Sequence, residues 1–180
     1  MNSFFALFYS LSFFIILFLL TLYLIKQIFN TQLLEKNIKA LQNKIKLDEV
    51  CYEDFYRLGQ FYLQKKFYNK AILTFRKALK IWNINDKIGI ASLSNTIGFT
   101  YFKLKKYRFA IYYYKIALKI IPDYILALKN LAYLYESTGL LSDAKDQYDT
   151  SLVLDPKNEF FINRLKLIER QLIFRTSQKE

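Results

Sequence analysis

The sequence has no histidine and only one cysteine, Cys51, among its 180 residues. Common zinc sites need several His or Cys ligands, and serine and cysteine hydrolases need a His base. A disulfide framework needs pairs of cysteines. The composition therefore excludes these sites and mechanisms, and Cys51 is interpreted as a packed or idle thiol.

Glycine and proline are also scarce, with four Gly and two Pro in the chain. An all-β fold needs such turn residues at short, regular intervals. The four glycines are scattered, and neither GxGxxG nor GxxxxGK[ST] occurs, so the sequence has no phosphate-binding loop. We predict an all-α protein that is not an enzyme and has no cofactor and no small-molecule substrate.

An uncharged apolar run extends from Phe4 to Ile25. As a helix it measures about 33 Å, close to the thickness of the hydrocarbon core of a bilayer. The run is longer than the apolar region of a signal peptide, and it lacks a positive n-region and a small-x-small cleavage site. We predict a transmembrane helix over residues 4–25, in preference to a cleaved signal or a buried helix of a soluble domain.

Lysines follow this run, and no charged side chain precedes it. The positive-inside rule therefore predicts that the rest of the chain lies on the side of synthesis, which is the stroma of a plastid or the cytoplasm of a bacterium. Residues 26–50 form a predicted helical linker, in which apolar residues recur at helical spacing. These residues are Leu34, Ile38, Leu41 and Ile45. The stripe predicts a helix that packs on the next domain or lies on the membrane, and dimerisation stays open.

The rest of the chain contains one motif three times. In its first segment a small residue, Gly59, Gly98 or Ala132, is followed three residues later by Tyr. In its second segment a small residue is followed four residues later by an aromatic residue, and three residues after that by another small residue. The second set comprises Ala71, Phe75, Ala78, Ala110, Tyr114, Ala117, Ala144, Tyr148 and Ser151. This pattern is similar to the tetratricopeptide repeat, a pair of antiparallel helices. It predicts an α-solenoid with repeats over residues 52–85, 91–124 and 125–158.

The motif has a physical cause. Two helices approach closely only where side chains are small, so we expect Gly59 to face Ala71, and Gly98 to face Ala110. Two prolines, at positions 122 and 156, end the second helices of the last two repeats. Residues 86–90 lengthen either a loop or the start of the next helix. Residues 159–175, preceded by Asn158 as N-cap, form a predicted capping helix.

By resemblance to the repeat family, the first helix of each repeat lines a concave groove. The predicted partner-binding slots are Tyr56, Gln60, Asn95, Phe99, Phe102, Lys103, Lys129 and Tyr133. Their aromatic side chains suit the anchoring of a peptide or helix, or belong in part to the core. Chaperone-docking members of the family have Lys and Asn where this chain has Tyr56 and Gln60. The sequence therefore argues against a clamp for chaperone tails.

Positive charge is concentrated in the first two repeats. Fifteen Lys or Arg and two acidic residues lie between Arg57 and Lys129, whereas residues 130–158 contain two Lys and five acids. A candidate basic face includes Lys105, Lys106 and Arg108. Such a face suits anionic lipid, an acidic protein or RNA, and it is also what the Lys-rich composition of an AT-rich genome produces. Because no base-reading code is present, nucleic acid is not the predicted partner.

One membrane span, a helical linker, three repeats and a capping helix together resemble the plastid-encoded, membrane-anchored tetratricopeptide repeat proteins of photosystem I assembly, shared by algal plastids and cyanobacteria. A soluble plastid assembly factor also has three repeats, and the span over residues 4–25 separates this chain from it. The resemblance implies a single-pass thylakoid protein whose stromal repeats bind photosystem I subunits or assembly intermediates. The alternatives are a bacterial inner-membrane adaptor for secretion or cytochrome maturation and an RNA-binding helical repeat protein.

Overall fold

In a computed structural model, the described residues, 2–47 and 51–177, form eight α-helices and no β-strand. The all-α prediction is therefore confirmed. The helices are α1 (Asn2–Lys46), α2 (Tyr52–Gln64), α3 (Tyr68–Ile81), α4 (Lys87–Lys103), α5 (Tyr107–Ile120), α6 (Ile125–Ser137), α7 (Leu141–Leu154) and α8 (Glu159–Ser177). The chain divides into two compact units between residues 49 and 50, and each unit is described by itself.

The first unit consists of α1, a single helix of 45 residues and about 67 Å. The predicted span and most of the predicted linker lie in this helix without a break. Its most apolar window has a mean hydropathy of 2.4, and none of that window is buried. The hydroxyls of Ser12 and Thr21 donate to backbone carbonyls one turn earlier, so they need no outside partner. By length and composition α1 is a helix that is able to cross a membrane.

The second unit consists of three antiparallel helix pairs, α2 with α3, α4 with α5 and α6 with α7, and α8 packs on α7. The small and aromatic residues of the predicted motif form its centre. Ala71, Phe75, Ala110, Tyr114 and their counterparts in the third repeat are fully or almost fully buried. The tetratricopeptide solenoid predicted from the sequence is confirmed.

Glycines allow the close contacts within the first two pairs. A Cβ atom on Gly98 would lie 2.7 Å from Cδ1 of Tyr114 and 3.2 Å from the carbonyl oxygen of Ala110. The predicted approach of Gly98 to Ala110 is therefore present. At Gly59 the three nearest atoms to such a Cβ all belong to the ring of Phe75.

The turns inside the three helix pairs share a left-handed residue. It is Lys66 with φ 59°, Lys105 with φ 58° and Gly139 with φ 80°. Glycine adopts this conformation readily, whereas a residue with a Cβ atom is disfavoured there by about 1 kcal/mol. The first two turns thus have a lysine in the left-handed conformation, whereas the third turn has a glycine there.

Residues 86–90 belong to the start of α4 and do not form a longer loop. The Asp86 side chain caps the helix, since Oδ1 accepts from the Gly89 backbone N–H at 2.8 Å and Oδ2 accepts from the Trp82 indole at 3.0 Å. These two hydrogen bonds hold the pKa of Asp86 below its ordinary value of 3.8, and the bond from Gly89 has the larger effect. The helix therefore starts before the predicted beginning of the second repeat, residue 91.

The last helix, α8, covers the end of the solenoid. Its side chains Phe161, Leu165 and Ile168 are buried. The Asn158 side chain accepts a hydrogen bond from the Phe160 backbone N–H at 3.1 Å, as expected of an N-cap. A terminal repeat would otherwise expose its apolar side to water, so α8 acts as the cap that the sequence predicts.

Candidate functional site

The first helices of the repeats, α2, α4 and α6, form the inner side of the solenoid, where α4 also contacts α6 directly. Three predicted groove residues occupy equivalent positions on these helices: Gln60, Phe99 and Tyr133. Gln60 and Phe99 are half-buried, and Tyr133 is 47% exposed. The repeat geometry thus places one polar and two aromatic side chains in successive positions along the inner side.

Phe99, Phe102, Lys103 and Tyr133 form the centre of this surface, which we call the aromatic groove. Phe102 of α4 meets Tyr133 of α6 edge to face, with ring centroids 5.7 Å apart. The Lys103 ammonium lies 5.0 Å from the centroid of the Phe99 ring. Phe102 and Tyr133 are held by packing between neighbouring repeats, so the groove offers a preformed apolar surface with one cation beside it.

Asn95, which was predicted to face the groove, is buried instead. Its exposed fraction is 5%, and its side-chain oxygen accepts a hydrogen bond from Nδ2 of Asn130 at 2.9 Å. The position lies where α4 meets α6, so a partner that enters the groove does not reach it. Asn95 therefore connects the second repeat to the third.

Tyr56 belongs to an aromatic cluster at the start of the solenoid. Its ring centroid lies 6.0 Å from that of Phe75 and 5.8 Å from that of Trp82, which also contacts Tyr52 at 4.5 Å. Tyr56 is half-buried. For this residue the structure favours the alternative that groove aromatics are partly core residues, because its neighbours are on the second helix of the repeat and in the segment after it.

Lys129 lies beside the capping helix, with its ammonium 4.2 Å from the centroid of the Phe160 ring. A neighbouring group that the sequence analysis missed also joins α6 to α8. Arg164 forms an ion pair with Glu136, and the Tyr148 hydroxyl donates to the same carboxylate at 3.0 Å. Burial, and then the charge of Glu136, raises the pKa of Tyr148. Glu136 and Arg164 lie 28 residues apart on different elements, and no sequence spacing reveals that contact.

The candidate basic face lies at the turn between α4 and α5. Lys105 and Lys106 form the turn, and Arg108 lies in the first turn of α5; all three side chains are exposed. Phe109, 55% exposed, follows directly. Tyr107, between Lys106 and Arg108 in the chain, has its ring centroid 5.9 Å from that of Phe102, so these cations border the aromatic groove.

The chemistry that the second unit offers is recognition. Over the described ranges, no three Cys, Asp or Glu side chains gather as metal ligands would. The groove supplies rings for apolar contact, an ammonium group and half-buried polar side chains such as Gln60. These groups suit a polypeptide segment, whose apolar side chains fit against the rings and whose carbonyls accept from the polar groups.

Comparison with known proteins agrees with the fold. The tetratricopeptide repeat family profile matches residues 55–81. The crystal structure of MamA superimposes with a TM-score of 0.67 at 22% identity and covers 77% of this chain and 78% of that one. At this identity the likeness concerns the fold alone.

Sequence relatives define the family. The chain is 40% identical to the protein ycf37 of Guillardia theta over 159 residues, which cover 88% of this chain and 89% of the relative. It is 28% identical to the tetratricopeptide repeat domain-containing protein PYG7, chloroplastic, of Arabidopsis thaliana, over 77% of this chain and 46% of that one. Together with the repeat profile and the solenoid, this similarity shows that the chain belongs to the ycf37 family of tetratricopeptide repeat proteins.

Proposed function

We propose that this protein is an adaptor of the plastid thylakoid membrane, anchored by α1, that assists the assembly or stabilisation of photosystem I through protein–protein contacts. The plastid location is supported by the relatives, among them a chloroplastic tetratricopeptide protein. The photosystem I role comes from the architectural resemblance of a span followed by three capped repeats. The repeats face the stroma in this proposal, because the lysines of residues 26–46 follow the candidate span.

The single observation that carries the proposal is the aromatic groove in a chain that also has a candidate span. The ring pair of Phe102 and Tyr133 and the Phe99–Lys103 contact are formed within the chain itself. Preformed aromatic surfaces lose little conformational entropy on binding. An assembly factor needs such a docking surface near the bilayer and no catalytic group. A scaffold role is also the general one for solenoids of stacked helix pairs.

The alternatives receive less support. A bacterial inner-membrane adaptor for secretion or cytochrome maturation has the same architecture, but the family relatives favour a plastid protein. An RNA-binding role calls for a base-reading repeat code, and the sequence contains none.

The test replaces two groove rings, with Phe99→Ala and Tyr133→Ala in one chain. We expect recovery of photosystem I subunits with the tagged protein from solubilised membranes to fall about tenfold or more, since anchoring aromatics typically contribute about 2 kcal/mol each. Membrane location and the thermal unfolding curve should stay close to those of the parent, because neither ring is fully buried.

The matched control removes two apolar side chains outside the groove, with Ile84→Ala and Val153→Ala. These residues are 82% and 79% exposed. Undiminished recovery is expected from this control. Equal recovery from the groove variant and the parent, with both variants folded, rejects recognition through the groove.

A further inference from the structure

The second helices of the repeats form the outer surface of the solenoid, and its charge changes from one repeat to the next. α3 contains four basic and no acidic residues, and α5 contains three basic and no acidic residues. α7 contains one lysine and three aspartates. Because these helices occupy equivalent places in successive repeats, the outer surface is positive over the first two repeats and negative over the third.

Three outer positions occur in register on all three helices, at two, five and nine residues after the small residues Ala71, Ala110 and Ala144. All of these positions are exposed. On the first two helices they hold Leu73, Arg76, Lys80, Tyr112, Lys115 and Lys119, which we call the outer basic face. On α7 the same positions hold two aspartates and a valine. The first two repeats therefore share an apolar-and-basic surface that the third repeat lacks.

The aromatic member of the outer basic face, Tyr112, is held in place by other rings. Leu73 is 61% and Tyr112 is 60% exposed. Tyr112 ends a row of four rings. The ring centroids lie 5.3 Å apart from Tyr112 to Tyr113, 5.5 Å from Tyr113 to Tyr101 and 5.1 Å from Tyr101 to Phe109. Tyr101 is a buried core residue. The packing thus presents an ordered aromatic ring to the surroundings beside basic side chains.

The charges of this face are not neutralised inside the protein. In the part of the chain that the structure describes, Arg76, Lys80, Lys115 and Lys119 form no ion pair. Neither of their helices contains an acidic residue. Like charges gathered in this way repel one another, so contact with an external surface of negative charge lowers their electrostatic energy.

We propose that the outer basic face lies on the anionic lipid headgroups of the membrane that α1 crosses. Lys and Arg near an anionic leaflet each gain attraction, and Tyr is favoured at the boundary between headgroups and water. The span keeps the repeats close to the lipid, so a contact too weak to hold a free domain is populated in the anchored one. The proposal rests on the membrane anchoring in the proposed function.

The contact has a consequence for the aromatic groove. First and second helices lie on opposite sides of the solenoid, so the contact turns the groove away from the bilayer. The aspartates of α7 are repelled by the same headgroups, which limits the contact to the first two repeats.

A tryptophan reporter tests the contact in the full chain. The protein carrying Tyr112→Trp is reconstituted in vesicles of phosphatidylcholine alone or with roughly a third phosphatidylglycerol, each with brominated acyl chains as quencher. The parent, which has Trp82, supplies the baseline. We expect the fluorescence of the added tryptophan to be quenched in anionic vesicles. High salt should abolish this quenching, and vesicles of phosphatidylcholine alone should show no quenching.

Two matched comparisons accompany the reporter. Val153→Trp puts the same probe on the outer side of the negatively charged α7, and we expect no quenching there. In the Tyr112→Trp chain, Lys115→Gln with Lys119→Gln should reduce quenching by roughly half or more, because two of the cations nearest the probe are lost. Lys157→Gln with Lys166→Gln removes the same charge elsewhere and should leave the quenching unchanged.

Several outcomes overturn the proposal. Quenching that is equal in both kinds of vesicle excludes recognition of anionic lipid. If, in vesicles without brominated lipid, the emission of the reporter changes with the protein-to-lipid ratio, the face contacts a second copy of the chain and not the lipid. An unquenched reporter in a chain that resists carbonate washing overturns only the lipid contact, whereas release by carbonate overturns the anchoring and with it this proposal.

Discussion

At the scale of single residues, Gly98 decides how closely α4 approaches α5. The space above its Cα holds the Tyr114 ring and the Ala110 carbonyl. We expect Gly98→Leu to destabilise the repeats by about 1–3 kcal/mol or more, because a branched side chain there forces both helices apart. Thermal unfolding of the full chain in detergent, followed by circular dichroism, measures the loss.

Gly98→Ala should destabilise the repeats less than Gly98→Leu. Alanine regains about 1 kcal/mol of helix propensity, which offsets part of the clash of its Cβ with Tyr114. Gln64→Leu, at an exposed helical position, controls for the added leucine and should melt like the parent. An unchanged melting temperature in Gly98→Leu contradicts the packing described for this pair.

Asp86 gives the repeats a dependence on pH. Its pKa is lowered in the folded protein by the hydrogen bonds from Gly89 and Trp82. A carboxyl group with a lowered folded pKa stabilises above its unfolded pKa, and the effect is lost as pH falls through the folded pKa. At neutral pH we expect the parent to have a higher melting temperature than Asp86→Asn. This difference in melting temperature should shrink below about pH 4.

The Asn side chain still caps the helix and does not ionise, although its amide nitrogen does not accept the hydrogen bond from Trp82. Melting both proteins between neutral and acidic pH cancels the titration of the other carboxyl groups. A difference that stays constant down to the lowest pH shows that the charge of Asp86 contributes nothing.

At the scale of elements, a partly buried ion pair holds the capping helix. Glu136 of α6 pairs with Arg164 of α8, with 10% and 31% of their side chains exposed. We expect Arg164→Met to destabilise the cap by about 1–3 kcal/mol, less than for a fully buried pair because solvent reaches the arginine. Amide hydrogen exchange should then rise first in α8, since a terminal helix opens before the rest.

Lys145→Met is the control for this prediction. It breaks the ion pair with Glu169, which also joins α7 to α8 but whose side chains are 37% and 51% exposed. Exposed pairs contribute about 0–1 kcal/mol, so little change is expected. Adding Glu136→Gln to Arg164→Met should restore part of the stability, because no unpaired charge is then left. Equal exchange in all four proteins excludes a role of the ion pair in holding α8.

At the scale of the whole molecule, the prediction concerns topology. We expect the chain to stay in membranes after alkaline carbonate washing, and its repeats to be digested by protease added from the stromal side. The uncharged run of α1 and the lysines after it are the reason. Replacing Lys36, Lys39, Lys44 and Lys46 by Gln should make the orientation mixed. Repeats protected in membranes with the stromal face outside contradict the proposed orientation.

Much of the fold follows from local sequence signals. The repeat motif predicted the three helix pairs, because small and aromatic residues at fixed spacing are needed wherever two helices cross closely. The cap at Asn158 was predictable since an N-cap bond forms between residues close in sequence. The Phe75 ring above Gly59 was not, because which neighbour fills a gap depends on side-chain rotamers.

The sequence by itself determined the helical class, the apolar run, the number of repeats and the uneven charge, since each depends on composition or short spacing. Only the tertiary structure decided which side chains are available. It buried Asn95 against Asn130, joined Glu136 to Arg164 and left Tyr112 exposed beside unpaired cations. The physical reason is that these contacts join residues of different helices, so they depend on how successive helices stack and on what each stacking removes from water.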